Sequence, residues 1–597
     1  MKRWLAALLF LASNAEAAPT CDASVEAWVA RCGRFELVTC HRGVVVVRDA
    51  EAKLDVELRP RSPESFRAAG ELGLAPVGQF PDWSKESEPR RRALDTLAAC
   101  AERERLPLER LLPEPTGQTP RVRPPLVPWR LLAGLILLVA ALRGRASLLL
   151  LAIPIALARF AAMGSAYFHQ NGQGPAWVGY AVRDDPGLAA YGPGFPELFA
   201  LAARAWGSDP ERGVWLLQAL LAACVPPATW LIARRLGAGA WVAGALACAC
   251  ALEPVLARLA GTESYFSTIF SLTTLATLCC ALPLRPRELW LPVGAAGLLL
   301  AQALRVHPVA WPAALVVPLP LLLAPGSLRR RARLFALGVA LLGAIAIVLA
   351  GPALAEVSRG SLGQQWLPNV RLRWELLPQG ATPYWLAGAV LLGALLRSWR
   401  GVVVATAGVA VIAAATLTDL TSAPNPAVSA AHQLLFLPAA VVLIAAAARR
   451  RSAQKPLAAA LALATLLALP SRWALTRSPT DALEAAFVRE LRGKLEGRVA
   501  YLERAGTQLS VLPLFHLERA PLREDDVRFE LASLPGPAYY FRSSLCSTAR
   551  GAPVCAELER SAELELVTER RLRALPSMRW NAYAGDEVRV ALYRIRR

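Results

Sequence analysis

The sequence predicts a polytopic α-helical membrane protein of about twelve transmembrane helices behind a signal peptide, with small α+β domains outside the membrane at both ends. Three observations predict it. Of the 597 residues 55% are hydrophobic, and several apolar runs approach the roughly 20 residues that cross a bilayer. The formal net charge of +20 would suit a nucleic-acid binder only if it were spread over a surface, and instead much of the basic excess lies in short loops between apolar runs. Cysteines outside those runs fall in two polar segments, in even numbers in each.

Residues 1–17 open with "MKRWLAALLFLASNAEA". A basic start, a short apolar run and an Ala15-Glu16-Ala17 ending fit a cleavable secretory signal, which would place the mature N-terminus outside. An uncleaved first helix is the alternative.

Residues 18–125 form the first outer segment. "SVEAWVARC" is amphipathic, and "FELVTC" and "GVVVVRD" are rich in β-branched residues, the pattern of a small α+β domain. Its four cysteines, Cys21, Cys32, Cys40 and Cys100, are disulfide candidates in an oxidising compartment, with their pairing open. The stretch "LPEPTGQTPRVRPPLVP" is a stiff linker into the membrane.

In residues 126–471, candidate membrane helices are centred near residues 134, 156, 224, 248, 273, 297, 317, 344, 390, 410, 441 and 463. With an outer N-terminus, the inner loops are "RGR" at 143, "RR" at 234, "RPR" at 285, "RRRAR" at 329, "RSWR" at 397 and "RRRSAQK" at 449. All are basic, as cytoplasmic loops tend to be. The outer stretch "TDLTSAPNPAVSAAHQ" carries no Lys or Arg. The remaining cysteines, Cys224, Cys248, Cys250, Cys279 and Cys280, lie in apolar runs as small packing residues.

Residues 472–597 return to the outer side. They begin with the amphipathic "DALEAAFVRELRGKL", continue through the strand candidates "RVAYLER", "AYYFRSS" and "EVRVALYRIR", and contain the pair Cys546 and Cys555. A compact α/β or α+β domain follows. The chain contains no Walker loop, GxSxG, HExxH or zinc-like cysteine spacing.

The chemistry is expected in the first outer loop of the membrane part, residues 167–212. It carries His169, Arg183, Asp184, Asp185, Tyr191 and Glu197 among glycines and aromatic residues suited to the headgroup level. Asp184 and Asp185 precede Pro186-Gly187, and "YGPGFP" follows, so the loop turns back sharply. A carboxylate there could take a proton from an attacking hydroxyl, its pKa tuned by partial burial. The bland alternative is a solvated turn with local Arg183 pairing. Other charges at the outer edge are Arg258 and Glu263 in "LARLAGTESYF", Arg305 and His307 in "LRVHPVAW", and His432 in "AAHQLLFLP". Charges at such positions are costly, which makes function the default reading. For either histidine alone, an interfacial hydrogen-bonded residue is as good a reading as a catalytic one. Together the outer Arg and His residues could bind a phosphate.

In the order of these parts the chain resembles the GT-C superfamily of membrane glycosyltransferases, the group of protein O-mannosyltransferases and lipid A aminoarabinose transferases. The likeness rests on the acidic first loop "DDPGLAAYGPGFPELF", the hairpin "ARRLGAGAWVAGALACACALEPVLARLAGTES" and the late "HQLLFLP" helix, across residues 146–470. It departs from the family's usual order in the signal, outer domain and additional helix that precede the loop.

The resemblance implies inverting transfer of a sugar from a polyprenyl-phosphate donor to a glycan, lipid or protein acceptor on the outer side of the membrane. It makes Asp184 or Asp185 the base, and Arg258, Glu263, Arg305 and His432 donor-phosphate or site-lining groups. It specifies no cofactor; a divalent metal stays open. The expected partners are membrane lipids and the lipid-linked donor, with no nucleic acid, and the expected location is a bacterial inner membrane with both terminal domains periplasmic. A transporter or flippase of lipid-linked sugar, and a non-catalytic envelope scaffold on the same fold, are the competing readings.

Overall fold

The computed structural model describes residues 31–41, 44–51, 54–60, 74–76, 96, 100, 127–142, 178, 181, 193–206, 210–260, 262–282, 289–310, 316–323, 327–359, 382–396, 399–417, 432, 434–448, 454–476, 480–491, 494–495, 498–503, 519–523, 531, 538–548, 551–573 and 585–596. The chain divides into two compact units. One holds residues 125–486 with 574–581, and the other holds residues 1–124 with 487–573 and 582–597.

The first unit is helical. Its described helices are α1 (Trp129–Leu142), α2 (Gly194–Ala205), α3 (Pro210–Ala223), α4 (Val225–Leu236), α5 (Ala240–Ala251), α6 (Pro254–Leu259), α7 (Tyr265–Ala281), α8 (Trp290–Val306), α9 (Leu319–Leu323), α10 (Leu328–Arg359), α11 (Thr382–Leu395), α12 (Trp399–Leu417), α13 (Leu437–Ala447) and α14 (Gln454–Thr476). The expected centres at 134, 224, 248, 273, 297, 344, 390, 410, 441 and 463 fall on these helices, 224 at the joint inside the span Glu211–Leu236. The centre at 317 lies two residues ahead of α9, and 156 lies outside the described residues. By length and composition, Glu211–Leu236 and Arg329–Leu354 are each long and apolar enough to cross a membrane; α1, α5, α7, α8, α13 and parts of α11 and α12 are shorter apolar helices.

Burial sorts these helices. Every residue of α7 and α13 is buried, whereas only 22% of the apolar window in Arg329–Leu354 is. A helix apolar all round belongs in the interior or in lipid. α7 also carries a run of hydroxyls, several of which it satisfies on its own backbone: Ser271 donates to Ser267 O at 2.8 Å, Thr274 to Phe270 O at 2.7 Å and Thr277 to Thr273 O at 2.7 Å.

Glycines let neighbouring helices close up. A Cβ on Gly134 of α1 would stand 3.0 Å from the Leu299 side chain, and one on Gly294 of α8 would stand 3.8 Å from Leu137, so α1 and α8 run antiparallel. α5 ends where Glu253 takes extended backbone ahead of Pro254, and its side chain caps α6 by accepting from Val255 N at 3.4 Å.

The second unit contains two sheets. β1 (Phe35–His41), β2 (Val44–Asp49), β3 (Leu54–Pro60) and β4 (Leu74–Pro76) form an antiparallel meander. The other sheet has the order β6-β5-β7-β9-β8, from β5 (Arg498–Glu503), β6 (Arg519–Arg523), β7 (Ala538–Arg542), β8 (Glu563–Arg573) and β9 (Glu587–Arg596). β5 runs parallel to β6 and β7, and β9 runs antiparallel to β7 and β8. α15 (Thr480–Leu491) precedes this sheet in the chain, and α16 (Gly551–Arg560) lies between β7 and β8.

Cys32 is bonded to Cys100, and Cys546 to Cys555. Cys21 and the Cys40 side chain lie outside the described residues. Cys224, Cys248, Cys250, Cys279 and Cys280 are free thiols, and all but the half-buried Cys224 and the exposed Cys248 are buried.

Candidate functional site

The site is built at one end of the helical unit, where α1, α2 and α7 begin and α8 finishes. Glu197 lies in the first turn of α2, where the helix dipole favours a carboxylate. α2 is seated on the end of α8 by Gly194: a Cβ there would fall 2.4 Å from both the Arg305 carbonyl carbon and Val306 N. Gln302 fastens the same joint by donating from Nε2 to Gly194 O at 2.9 Å.

The joint delivers Glu197 to two arginines. Arg305 forks onto it, Nε donating to Oε2 at 3.1 Å and Nη2 to Oε1. Arg130, at the start of α1, donates from Nη1 to Oε2 at 3.2 Å. Side-chain exposures of 12% for Glu197 and Arg305 and 14% for Arg130 make this a largely desolvated cluster. A forked arginine–carboxylate pair is strong and directional. Among the described residues, two guanidiniums face one carboxylate, which leaves one positive charge in excess. Among the same residues, the buried Arg130 Nε has no hydrogen-bond partner.

Beside it runs an aromatic row. His307 caps α8 and stacks on Tyr265 with ring centroids 4.1 Å apart; Tyr265 meets Phe266 at 4.2 Å, and Phe266 meets His432 edge-on at 4.7 Å. Val309 N–H donates to His307 Nδ1 at 3.0 Å, so Nδ1 is the acceptor nitrogen and the proton of the neutral ring sits on Nε2. Glu263 is wholly buried just ahead of α7. Nearby, Gln218 donates to Ser264 O and accepts from Thr268 Oγ1 at 2.7 Å. Among the described residues, the buried Ser264 Oγ and Ser267 Oγ have no hydrogen-bond partner.

The structure therefore joins two of the residues expected from sequence, Glu197 and Arg305, in direct contact. It places His307 and His432 in one aromatic row and buries Glu263 at the head of the same helix. Arg258 falls on α6, and its side chain lies outside the described residues. His169, Arg183, Asp184, Asp185 and Tyr191 also lie outside them. Arg130, Gln302, Tyr265 and Phe266 were missed. Arg130 was within reach, because an arginine one residue into an apolar run is the same costly edge charge that singled out Arg305. No cluster of three or more His, Cys, Asp or Glu side chains arranged for a metal occurs among the described residues.

No family model matches the chain, and no curated protein matches it by sequence. Among solved structures it is similar to ArnT from Cupriavidus metallidurans in the apo state, with 14% identity and a TM-score of 0.35 over 75% of this chain and 98% of that one. It is similar to ArnT bound to undecaprenyl phosphate, with 13% identity and a TM-score of 0.36 over 75% and 98%. It is also similar to the arabinofuranosyltransferase AftD from Mycobacteria, with 16% identity and a TM-score of 0.43 over 76% of this chain and 40% of that one. These neighbours fall in the group of membrane glycosyltransferases that the sequence resembles.

Proposed function

We propose that the chain is a multi-pass inner-membrane glycosyltransferase that moves a sugar from a polyprenyl-phosphate donor to an acceptor at the outer face. The observation that carries the reading is the Arg130–Glu197–Arg305 cluster: excess positive charge, nearly dry, at one end of an apolar helical unit. A lipid-borne phosphate is the anion that reaches such a place, and Arg is the residue suited to holding it.

The reaction follows from that placement. The acceptor hydroxyl attacks the anomeric carbon while the bond from that carbon to the phosphate oxygen breaks, and the bonding pair leaves with the phosphate. Arg305 and Arg130 stabilise the charge that builds on the leaving oxygen. The acceptor's proton passes to Asp184 or Asp185, the proposed general base. The buried Ser264 and Ser267 hydroxyls offer hydrogen bonds to sugar hydroxyls. The end bearing Arg130, Glu197 and Arg305 is the periplasmic one in this reading, and Arg234, Arg235 and Arg329 mark the cytoplasmic one.

The test is full-length protein in proteoliposomes, offered polyprenyl-phosphate-linked pentoses and hexoses with membrane extract as acceptor source. Release of polyprenyl phosphate with formation of a glycosylated product is expected, and Asp184→Asn together with Asp185→Asn abolishes it. Movement of donor lipid between leaflets without product would instead identify a flippase.

A further inference from the structure

α10 opens with Leu328-Arg329-Arg330-Arg331-Ala332-Arg333 and has no acidic residue in its first turn. Cations crowd the positive end of the helix dipole, an arrangement that an anion would reverse from unfavourable to favourable. Arg331 is only 3% exposed and lies over the Trp399 ring of α12, 5.2 Å from its centroid, which anchors this end of the helix. Arg329, Arg330 and Arg333 point outward, and among the described residues no carboxylate meets any of the three.

The same helix face continues as an apolar stripe. Ala336, Leu337, Ala340, Ala344, Ile347 and Val348 are all exposed, at helical spacing from Arg333. Leu337 is 49% exposed, Ile347 72% and Val348 55%. A charged head and an apolar track on one face call for a ligand with both parts. Free phosphate would leave the stripe uncovered, and a zwitterionic lipid would bring its own cation to the arginines.

We propose that this face is a binding site for an anionic phospholipid, with its phosphodiester among Arg329, Arg330 and Arg333 and its acyl chains along Leu337, Ile347 and Val348. The arginine head, at the first turns of α10, stands about four turns along the helix from Leu349, whose carbonyl accepts from Arg305 Nη1 at 3.5 Å, and its occupancy does not depend on sugar transfer. Each basic residue near a headgroup contributes about fivefold in affinity.

The experiment is native mass spectrometry of the full-length protein released from detergent. Phosphatidylglycerol and phosphatidylcholine of identical acyl chains compete, with and without millimolar inorganic phosphate. Wild type is expected to retain phosphatidylglycerol at least about tenfold over phosphatidylcholine. The triple variant Arg329→Gln, Arg330→Gln, Arg333→Gln should bring the ratio near one, and the matching triple Lys variant should keep most of the preference. An unchanged ratio in the Gln variant overturns the proposal, as does equal loss of both lipids. Displacement of the lipid by inorganic phosphate alone would assign the arginines to a free anion and overturn the lipid assignment.

Discussion

Removing the Glu197 carboxylate should separate what holds the site together from what it binds. In Glu197→Gln the two arginines that share it, at 3.2 and 3.1 Å, lose their common counter-ion while staying mostly out of water. At an effective dielectric near 20, each attraction is about 5 kcal/mol before desolvation is subtracted. Breaking a buried ion pair from one side costs about 3–5 kcal/mol, because the remaining charges are stranded. Arg305→Gln should cost less, since Arg130 still pairs with Glu197. The double variant should lose less than the two singles summed, by about 1–3 kcal/mol. Unfolding in mixed micelles at rising dodecyl sulfate fraction, followed by tryptophan fluorescence, measures all three. Binding of undecaprenyl phosphate to the folded fraction should respond differently to the two substitutions. Arg305→Gln removes a charged donor worth about 1.5–3 kcal/mol, a loss of tenfold or more. Glu197→Gln raises the excess positive charge from one to two and should leave binding equal or tighter. Single losses that add to within about 0.5 kcal/mol, or equal weakening of binding by both substitutions in folded protein, would refute the shared-carboxylate account.

Gly194→Ala should lower stability by about 1–3 kcal/mol in the same assay and weaken undecaprenyl phosphate binding, because the added methyl meets α8 backbone and pushes Glu197 away from Arg305. Peptide mapping without reductant should recover Cys32 linked to Cys100, and a Cys32–Cys40 or Cys21–Cys100 link would contradict the pairing. Cys546→Ser with Cys555→Ser opens a short loop and should cost about 3 kcal/mol, read as faster proteolysis within residues 487–597 of the full chain. Tyr540 is buried, which holds its phenol above the ordinary value of 10.0, and because Cys546 is disulfide-bonded the hydroxyl is the donor in their 3.6 Å contact. The folded form therefore prefers the protonated phenol: its contribution is full below pH 10.0 and falls as rising pH ionises the unfolded chain. Stability of this domain between pH 9.5 and 11 should fall less in Tyr540→Phe than in wild type, and identical slopes would count against it.

Local pattern was enough wherever a signal repeats within a few turns. Apolar runs marked most of the described helices, because an apolar helix is recognisable from its own residues, but α2 (Gly194–Ala205), inside the stretch read as the outer loop 167–212, was not among them. "FELVTC", "RVAYLER" and "EVRVALYRIR" announced β1, β5 and β9 through β-branched and aromatic content. β6 and β8 gave no such signal. β6 reads "RAPLR", with a proline, and β8 reads "ELELVTERRLR", largely exposed at the sheet edge and laced with ion pairs to β9 such as Arg589–Glu569. An edge strand without a buried face looks like any charged segment.

The chain's own order of residues was sufficient to mark which charges are costly: Glu197, Glu263, Arg305, His307 and His432 all stand at the edges of apolar runs. It could not say which of them touch. Arg130 is 67 residues from Glu197, and Arg305 is 108 residues from it. Their meeting depends on Gly194 letting α2 rest against the last turn of α8, and on α1 packing antiparallel to α8. The partner of Cys32 was equally hidden, since any of the three other cysteines of its segment could close a loop until folding brought one within bonding distance. Burial preferences act residue by residue and survive in the linear pattern, while pairings between distant segments arise from packing and leave no local trace.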